Sequence, residues 1–289
     1  MTARWWRDRV PSPARRLARR LRQELSLVVG RWAGWRGRPP CIVGIPMMNL
    51  HEETAKLVAD LDFDAIDELI IYDHGSDDSR SIEWLTEIER APKISVDRRA
   101  AVPVESLYRS WNDTIRRAIA RFPTGPVDVV ILNNDVTVPR GFVRCLTRAL
   151  RAAGPGVIVT YPDAHAPLRS GIPLRIKLTP TKGLAMEGGM TGWAFALKAE
   201  AFRAELPLID ERLRFYSGDR DLIHTVETAG YRAARVDRLP CAHERGATRR
   251  RRPELKGQQD RDIQLWWGPD GIRAEKEGRV RPASPPPRP

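Results

Sequence analysis

Several side chains in this sequence are of the types that handle a hard cation, a phosphate or a mobile proton. Asp73 and Asp78 lie in Asp73-His74-Gly75-Ser76-Asp77-Asp78, and Asp135 closes Leu132-Asn133-Asn134-Asp135. Asp219 and Asp221 lie in Gly218-Asp219-Arg220-Asp221-Leu222, and His243 lies in Cys241-Ala242-His243. Mg²⁺ takes oxygen ligands and is usually held by one or two carboxylates plus substrate phosphates, and Mn²⁺ shares that taste. A carboxylate beside an acceptor hydroxyl can take its proton as a general base. Each residue also has an ordinary structural explanation. Asn and Asp are common turn residues, Asp78 or Asp221 could cap a helix, and a single histidine is more often packed than ligating. What gives the set weight is order: nearly every member follows a candidate strand or opens a candidate helix.

The elements that must position these residues alternate. Val129-Val130-Ile131-Leu132 reads as a strand buried on both faces, running straight into Asn133. Cys41 to Pro46, Glu68 to Tyr72, Ile94 to Val96, Gly156 to Tyr161, Gly192 to Leu197 and Ala233 to Asp237 read as further strands. Helices are expected over 52–61, 81–90, 106–121, 140–152, 199–204 and 220–230. Leu107, Trp111, Ile115 and Ile119 form one apolar stripe in the third of these. Strands alternating with helices predict an α/β fold with a mostly parallel sheet. In such sheets ligands sit beyond the carboxyl ends of the strands. Residues 162–188, rich in Pro, Gly and basic residues, are expected to form a long loop.

Composition bounds the rest. The chain has 289 residues, 42% of them hydrophobic, which suffices for one substantial core. The formal net charge of +12 is concentrated at the ends. Residues 1–40 carry eleven Arg against two acids, residues 245–289 carry twelve Lys or Arg against six acids, and the middle is slightly acidic. The basic character therefore says nothing about the central chemistry. Three domains of behaviour are expected: a basic Trp/Arg-rich arm over 1–40, an α/β domain over 41–268, and a disordered Pro-rich tail over 269–289. Leu17, Leu21, Leu25, Val28 and Trp32 recur at helical spacing among arginines, a pattern suited to peripheral membrane contact through residues 1–38 or to packing on the protein's own body. Three cysteines without metal-ligand spacing fit a reducing compartment. No signal-peptide pattern or membrane-spanning apolar run is evident, so a cytoplasmic location is expected, with the inner membrane face as an option.

With these motifs in order, the sequence resembles the GT-A fold glycosyltransferases, and within them glycosyltransferase family 2 with its rhamnosyl- and galactosyltransferase-like members. The matching features are Ile42-Val43-Gly44-Ile45-Pro46, Asp73-His74-Gly75-Ser76 with Asp78, Leu132-Asn133-Asn134-Asp135, Gly188-Gly189-Met190-Thr191-Gly192-Trp193, Gly218-Asp219-Arg220-Asp221-Leu222 closing at Ala229-Gly230-Tyr231, His243, and Trp266-Trp267-Gly268. The resemblance covers about residues 41–268. Two positions depart from the family pattern. Asn133 stands where D-x-D has its first acid, and Gly218 stands where a Glu usually precedes the base.

The resemblance implies inverting transfer of a sugar from a nucleotide-diphospho-sugar to a hydroxyl of a glycan, lipid-linked glycan or protein, assisted by Mn²⁺ or Mg²⁺. It implies donor binding by Pro46, Met48, Asn49, Asp73, Asp78, Asn112, Asn133, Asn134 and Asp135. It implies a metal held by Asp135 and His243, a general base at Asp219, and acceptor or loop roles for Gly192, Trp193 and Asp221. A nucleotidyltransferase is the nearest alternative, but it usually carries a Gly-rich basic loop after the first strand, where this chain has Pro46-Met47-Met48-Asn49. A nucleic-acid-binding module is disfavoured because acids, not bases, collect at the strand ends. A non-catalytic member of the fold is the third reading, prompted by Asn133 and Gly218.

Overall fold

The computed structural model describes residues 37–173, 175–180, 190, 192–203, 206–243, 253 and 255–279. Up to residue 36 the expected basic arm therefore lies outside the described residues, as do 174 and 181–188 of the expected loop. The strands are β1 (Cys41–Met47), β2 (Glu68–Asp73), β3 (Ile94–Arg98), β4 (Asp128–Leu132), β5 (Val136–Thr137), β6 (Val157–Asp163), β7 (Leu178–Pro180), β8 (Ala194–Lys198), β9 (Arg232–Pro240) and β10 (Ala242–His243). The α-helices are α1 (His51–Asp60), α2 (Ser79–Ile88), α3 (Leu107–Arg121), α4 (Phe142–Ala152), α5 (Gly218–Thr228), α6 (Leu255–Trp267) and α7 (Ile272–Lys276).

Eight strands form one sheet in the order β3-β2-β1-β4-β8-β6-β9-β7, and β5 pairs with β10 separately. The pairs β1–β2, β2–β3, β1–β4 and β6–β9 are parallel. β8 runs antiparallel between β4 and β6, and β7 is antiparallel on the edge. The mostly parallel α/β sheet expected from the alternation is present, with β8 reversed at its centre.

The apolar run of β4 explains the layering. Val130 and Leu132 enter one apolar layer, while Val129 and Ile131 enter the other. All four are fully buried, as a strand covered on both faces requires. Leu57 of α1, Leu85 of α2 and Phe142, Leu146 and Leu150 of α4 close the first layer. Trp111 and Ile115 of α3, Leu222 and Val226 of α5, Trp266 and Ile272 close the second. Each fully buried Leu, Ile or Phe contributes about 1.5–3 kcal/mol from removal of its apolar surface from water.

Two expectations are corrected. The expectation of disorder from 269 onward fails where α7 forms, with Ile272 and Ala274 buried, and 280–289 lie outside the described residues. The proline-rich composition belongs to the residues after 280, and masked the apolar pair ahead of it. Within 162–188, Leu178–Pro180 forms a strand on β9 in place of pure loop.

Candidate functional site

Three parallel strands end on the same side. Met47 of β1 pairs with Asp73 of β2, and Gly44 pairs with Ile131 of β4. The loops after β1 and β2 are knotted by side chains. Asp73 Oδ1 accepts the Ser76 N–H at 2.9 Å, and Ser76 Oγ accepts the Asn49 N–H at 2.8 Å. Asn49 Oδ1 accepts the Asp77 and Asp78 N–H groups at 3.0 and 3.3 Å. Asn134 Nδ2 donates to the Asn49 carbonyl and to Thr54 Oγ1, both at 3.3 Å, and joins the loop after β4 to this knot. Asp78 caps α2 by accepting the Ser81 N–H at 2.8 Å. His74, inside the same motif, is fully buried with Nε2 2.6 Å from Ser110 Oγ. Burial pushes its pKa down to about 4, so it is a neutral packing residue.

The β5–β10 pair sets His243 opposite Val136, one residue beyond Asp135. His243 Nε2 stands 3.2 Å from Asp135 Oδ1, and the His243 ring stacks on Trp193 at 4.8 Å between centroids. Asp135 Oδ1 and Asn133 Oδ1 are both buried acceptors without a hydrogen-bond donor among the described residues. The separation of Asp135 and His243 is thus close without forming a hydrogen bond. Adjacent ligands of an octahedral cation with bonds of about 2.1 Å stand about 3 Å apart. The undonated oxygens and the 3.2 Å spacing therefore fit a divalent ion. Among the described residues no group of three or more His, Cys, Asp or Glu side chains is gathered around such a point. The remaining ligands would have to come from substrate phosphates, water or the Asn133 amide oxygen.

The reversed strand β8 gives the third component. Leu132 pairs with Ala194, and the Asn133 N–H donates to the Trp193 carbonyl at 2.8 Å. The amino end of β8 therefore lies at the carboxyl end of β4. Gly192, next in line, donates its N–H to Asp219 Oδ2 at 3.3 Å. Asp219 and Asp135, 84 positions apart in sequence, are thereby joined through Gly192, Trp193 and His243. Burial raises the Asp219 pKa above the ordinary aspartate value, while the Arg220 N–H and charge and the Gly192 N–H oppose the rise.

Both glycines near Asp219 are imposed by an aromatic wall on α3. A Cβ at Gly218 would stand 2.2 Å from the Tyr108 ring, and one at Gly192 would stand 2.8 Å from Trp111 Cη2. Position 218 has no room for a side chain, because Tyr108 occupies that space.

Other expected site residues fall elsewhere. Asn112 is fully buried, with Nδ2 donating to the Ile209 carbonyl and Glu211 Oε1 and Oδ1 accepting the Ile209 N–H. It is a strut between α3 and the 209–211 segment, not a donor contact. Asp221 is also fully buried; Oδ2 accepts the Asp210 N–H at 2.8 Å and Oδ1 pairs with Lys276 Nζ at 2.5 Å. Its side chain does not cap α5. Pro46 is part of β1, and Met48 packs in a small apolar cluster with Val102 and Leu255, so their side chains are not offered to a ligand. Thr54, Tyr108 and Asp262 are participants that the motifs did not flag. Asp262 Oδ2 accepts the N–H groups of Arg214, Phe215 and Tyr216 at 3.1, 2.6 and 2.8 Å, directly ahead of the Asp219 loop.

This topology, with Asp73 and Asn133-Asn134-Asp135 at the carboxyl ends of β2 and β4, is the fold of the GT-A glycosyltransferases. Solved structures similar to it include GalNAc-T7 with UDP, GalNAc and Mn²⁺, at a TM-score of 0.51 and 17% identity over 71% of this chain. They also include the mannosyltransferase PcManGT from Pyrobaculum calidifontis with GDP-Man and Mn²⁺, at a TM-score of 0.51 and 19% identity over 86% of this chain. The chain spans 43% of the first and 66% of the second. No protein-family model matches the sequence, and no curated protein matches it.

Proposed function

We propose that the protein is an inverting glycosyltransferase of the family 2 type, moving a sugar from a nucleotide-diphospho-sugar to an acceptor hydroxyl. The observation that carries the reading is the continuous path Asp135–His243–Trp193–Gly192–Asp219 at the sheet's carboxyl end. It is reinforced by the fold shared with transferases solved with UDP or GDP-Man and Mn²⁺. Asp73 and the Asn49 loop lie on the donor side, where a carboxylate can accept a base N–H. Asp135 and His243, with Asn133, would hold a divalent cation, which when bound supplies Lewis-acid neutralisation of the leaving diphosphate. Asp219 accepts the proton of the acceptor hydroxyl as its oxygen attacks the anomeric carbon. The new C–O bond forms as the bond to the diphosphate breaks, with inversion. Trp193 offers an apolar wall beside the sugar position. The Trp- and Arg-rich residues 1–38 support an acceptor presented at a membrane face, a cytoplasmic one in a protein of reduced cysteines.

The test is thermal-shift screening with UDP-, dTDP- and GDP-sugars, with and without Mn²⁺, followed by product analysis by NMR. A metal-dependent rise in melting temperature with one donor, and a product of inverted anomeric configuration, are expected. No shift with any donor, or retention of configuration, would overturn the respective half of the reading. Flotation of the full chain with anionic vesicles tests the membrane contact.

A further inference from the structure

The region around Asp219 contains more machinery than the acid itself. Tyr108 lies on α3, buried, with its ring edge-on to Trp111 at 4.9 Å between centroids. The two rings stand against the two glycines that flank the carboxylate in space. Gly218 precedes Asp219 in the chain, and a Cβ there would meet Tyr108 Cε1, Cδ1 and Cζ at 2.2 to 2.4 Å. Gly192 donates to Asp219 Oδ2, and a Cβ there would meet Trp111 at 2.8 Å and Asp219 Cβ at 3.0 Å. Ser217, just before, is held at φ 71° and ψ 2°, so the chain turns sharply into α5 at this wall.

Resting on the glycosyltransferase reading, we propose that Tyr108 is the positioning residue of the general base. Its ring seats the Ser217–Gly218 turn so that the Asp219 carboxylate meets the Gly192 N–H and the acceptor hydroxyl. The role rests chiefly on the ring and its volume, backed by Trp111, with the hydroxyl placed to accept the Gly218 N–H as a lesser support. The turn has no side chain of its own to hold it: the Ser217 Oγ makes no hydrogen bond among the described residues, and residue 218 has no side chain. The buried Tyr108 ring is part of the packing beside the half-buried Asp219, whose pKa burial displaces upward. The ionisable groups that face this corner are Arg220 on α5, Tyr108 on α3 and, around Tyr108, Tyr216 and Asp262 of α6. None of these except Arg220 is positive, so the desolvation of Asp219 is not cancelled from α3 or α6.

Two experiments on the full chain test the proposal. The first uses melting temperature alone and does not depend on turnover. Gly218→Ala is compared in the wild-type and Tyr108→Ala backgrounds. A large loss in the first and a much smaller one in the second is expected, because the clash is removed with the ring. Equal losses in both backgrounds would overturn the contact, whatever the enzyme does. The second experiment uses the donor found in the screen. Tyr108→Phe should retain turnover within about threefold, since the ring is kept. Tyr108→Leu should lower kcat by about tenfold or more, leave the affinity for the nucleoside diphosphate with Mn²⁺ unchanged, and move the acid limb of kcat/KM to lower pH. Threefold and tenfold both lie below the ~10²- to 10⁴-fold that a well-placed base contributes, as expected when the base is displaced and not removed. A Tyr108→Leu enzyme with wild-type kcat and acid limb would overturn the positioning role while leaving the glycosyltransferase reading intact. If Tyr108→Phe falls as far as Tyr108→Leu, the hydroxyl is responsible and the ring assignment is wrong. A wild-type protein inactive with every donor overturns the functional reading and the positioning role with it, and leaves the contact result standing.

Discussion

As the proposed base, Asp219 must be ionised to take a proton, yet its surroundings disfavour the charge. Burial displaces its pKa upward from 3.8, which strengthens it as a base and narrows the pH range in which it is ready. Two measurable results follow. The acid limb of kcat/KM should lie above that of an ordinary aspartate, and activity should rise with pH through it. Asp219→Asn keeps the size of the side chain but cannot accept the proton, so turnover should fall by about 10²- to 10⁴-fold. Donor affinity, read by titration with the nucleoside diphosphate and Mn²⁺, should stay near wild type, because the contacts of Asp219 are to Gly192 and Arg220 and not to the donor loops. Asp135→Ala should do the reverse. It removes one half of the 3.2 Å pair with His243, so the metal-dependent part of the donor's thermal shift should vanish while the protein still melts cooperatively.

At the scale of elements, position is set by pairing that leaves little trace in composition. The strand–helix alternation and the double burial of β4 were legible in the run Val129-Val130-Ile131-Leu132, because a strand covered on both faces has no polar alternation to show. The two-residue pair β5–β10, which delivers His243 to Asp135, was not legible: two residues have no periodicity. Nor was α6, whose polar run Lys256-Gly257-Gln258-Gln259-Asp260-Arg261-Asp262 hides a buried carboxylate. Asn112 shows the opposite failure, where a family pattern suggested a ligand and packing made a strut. Asp262 deserves its own test because one oxygen gathers three backbone N–H groups ahead of the base loop, while Oδ1 accepts from Gln258 Nε2 at 2.7 Å. Asp262→Asn keeps an oxygen for the loop but turns an NH₂ toward the Gln258 amide, whose oxygen is held by Arg261, so it should cost less than Asp262→Leu without being neutral. Asp262→Leu strands three part-buried N–H donors, each costing less than the ~1–3 kcal/mol of a fully buried group, and should lower melting temperature and kcat together.

At the scale of the whole molecule, the ends of the sheet carry different duties. The carboxyl end holds undonated oxygens and close-packed glycines, features that cost stability and suit a ligand. At the amino end lies a satisfied charge network. Arg151 of α4 donates through Nε to Asp128 Oδ1 at 2.7 Å and through both Nη atoms to Glu200, and Glu200 also accepts the Val127 N–H at 3.0 Å. Burial nonetheless pushes the Asp128 pKa up to about 7, with the adjacent Arg151 opposing. A folded pKa above the unfolded one contributes stability below the unfolded value, lost as pH rises through the folded value. Asp128 should therefore make the protein progressively less stable between about pH 4 and 7, and Asp128→Asn should flatten that part of the melting curve against pH. Arg151→Met leaves the half-buried Glu200 without its cation and lets Asp128 stay protonated to higher pH, so it should lower the melting temperature, most where Glu200 is ionised. In neither variant should kcat change at a temperature where the protein is fully folded, since the network stands at the opposite end of β4 from Asp135. A loss of kcat in Arg151→Met without a fall in melting temperature would show that the two ends of β4 are coupled, and the division of labour along the strand would have to be abandoned.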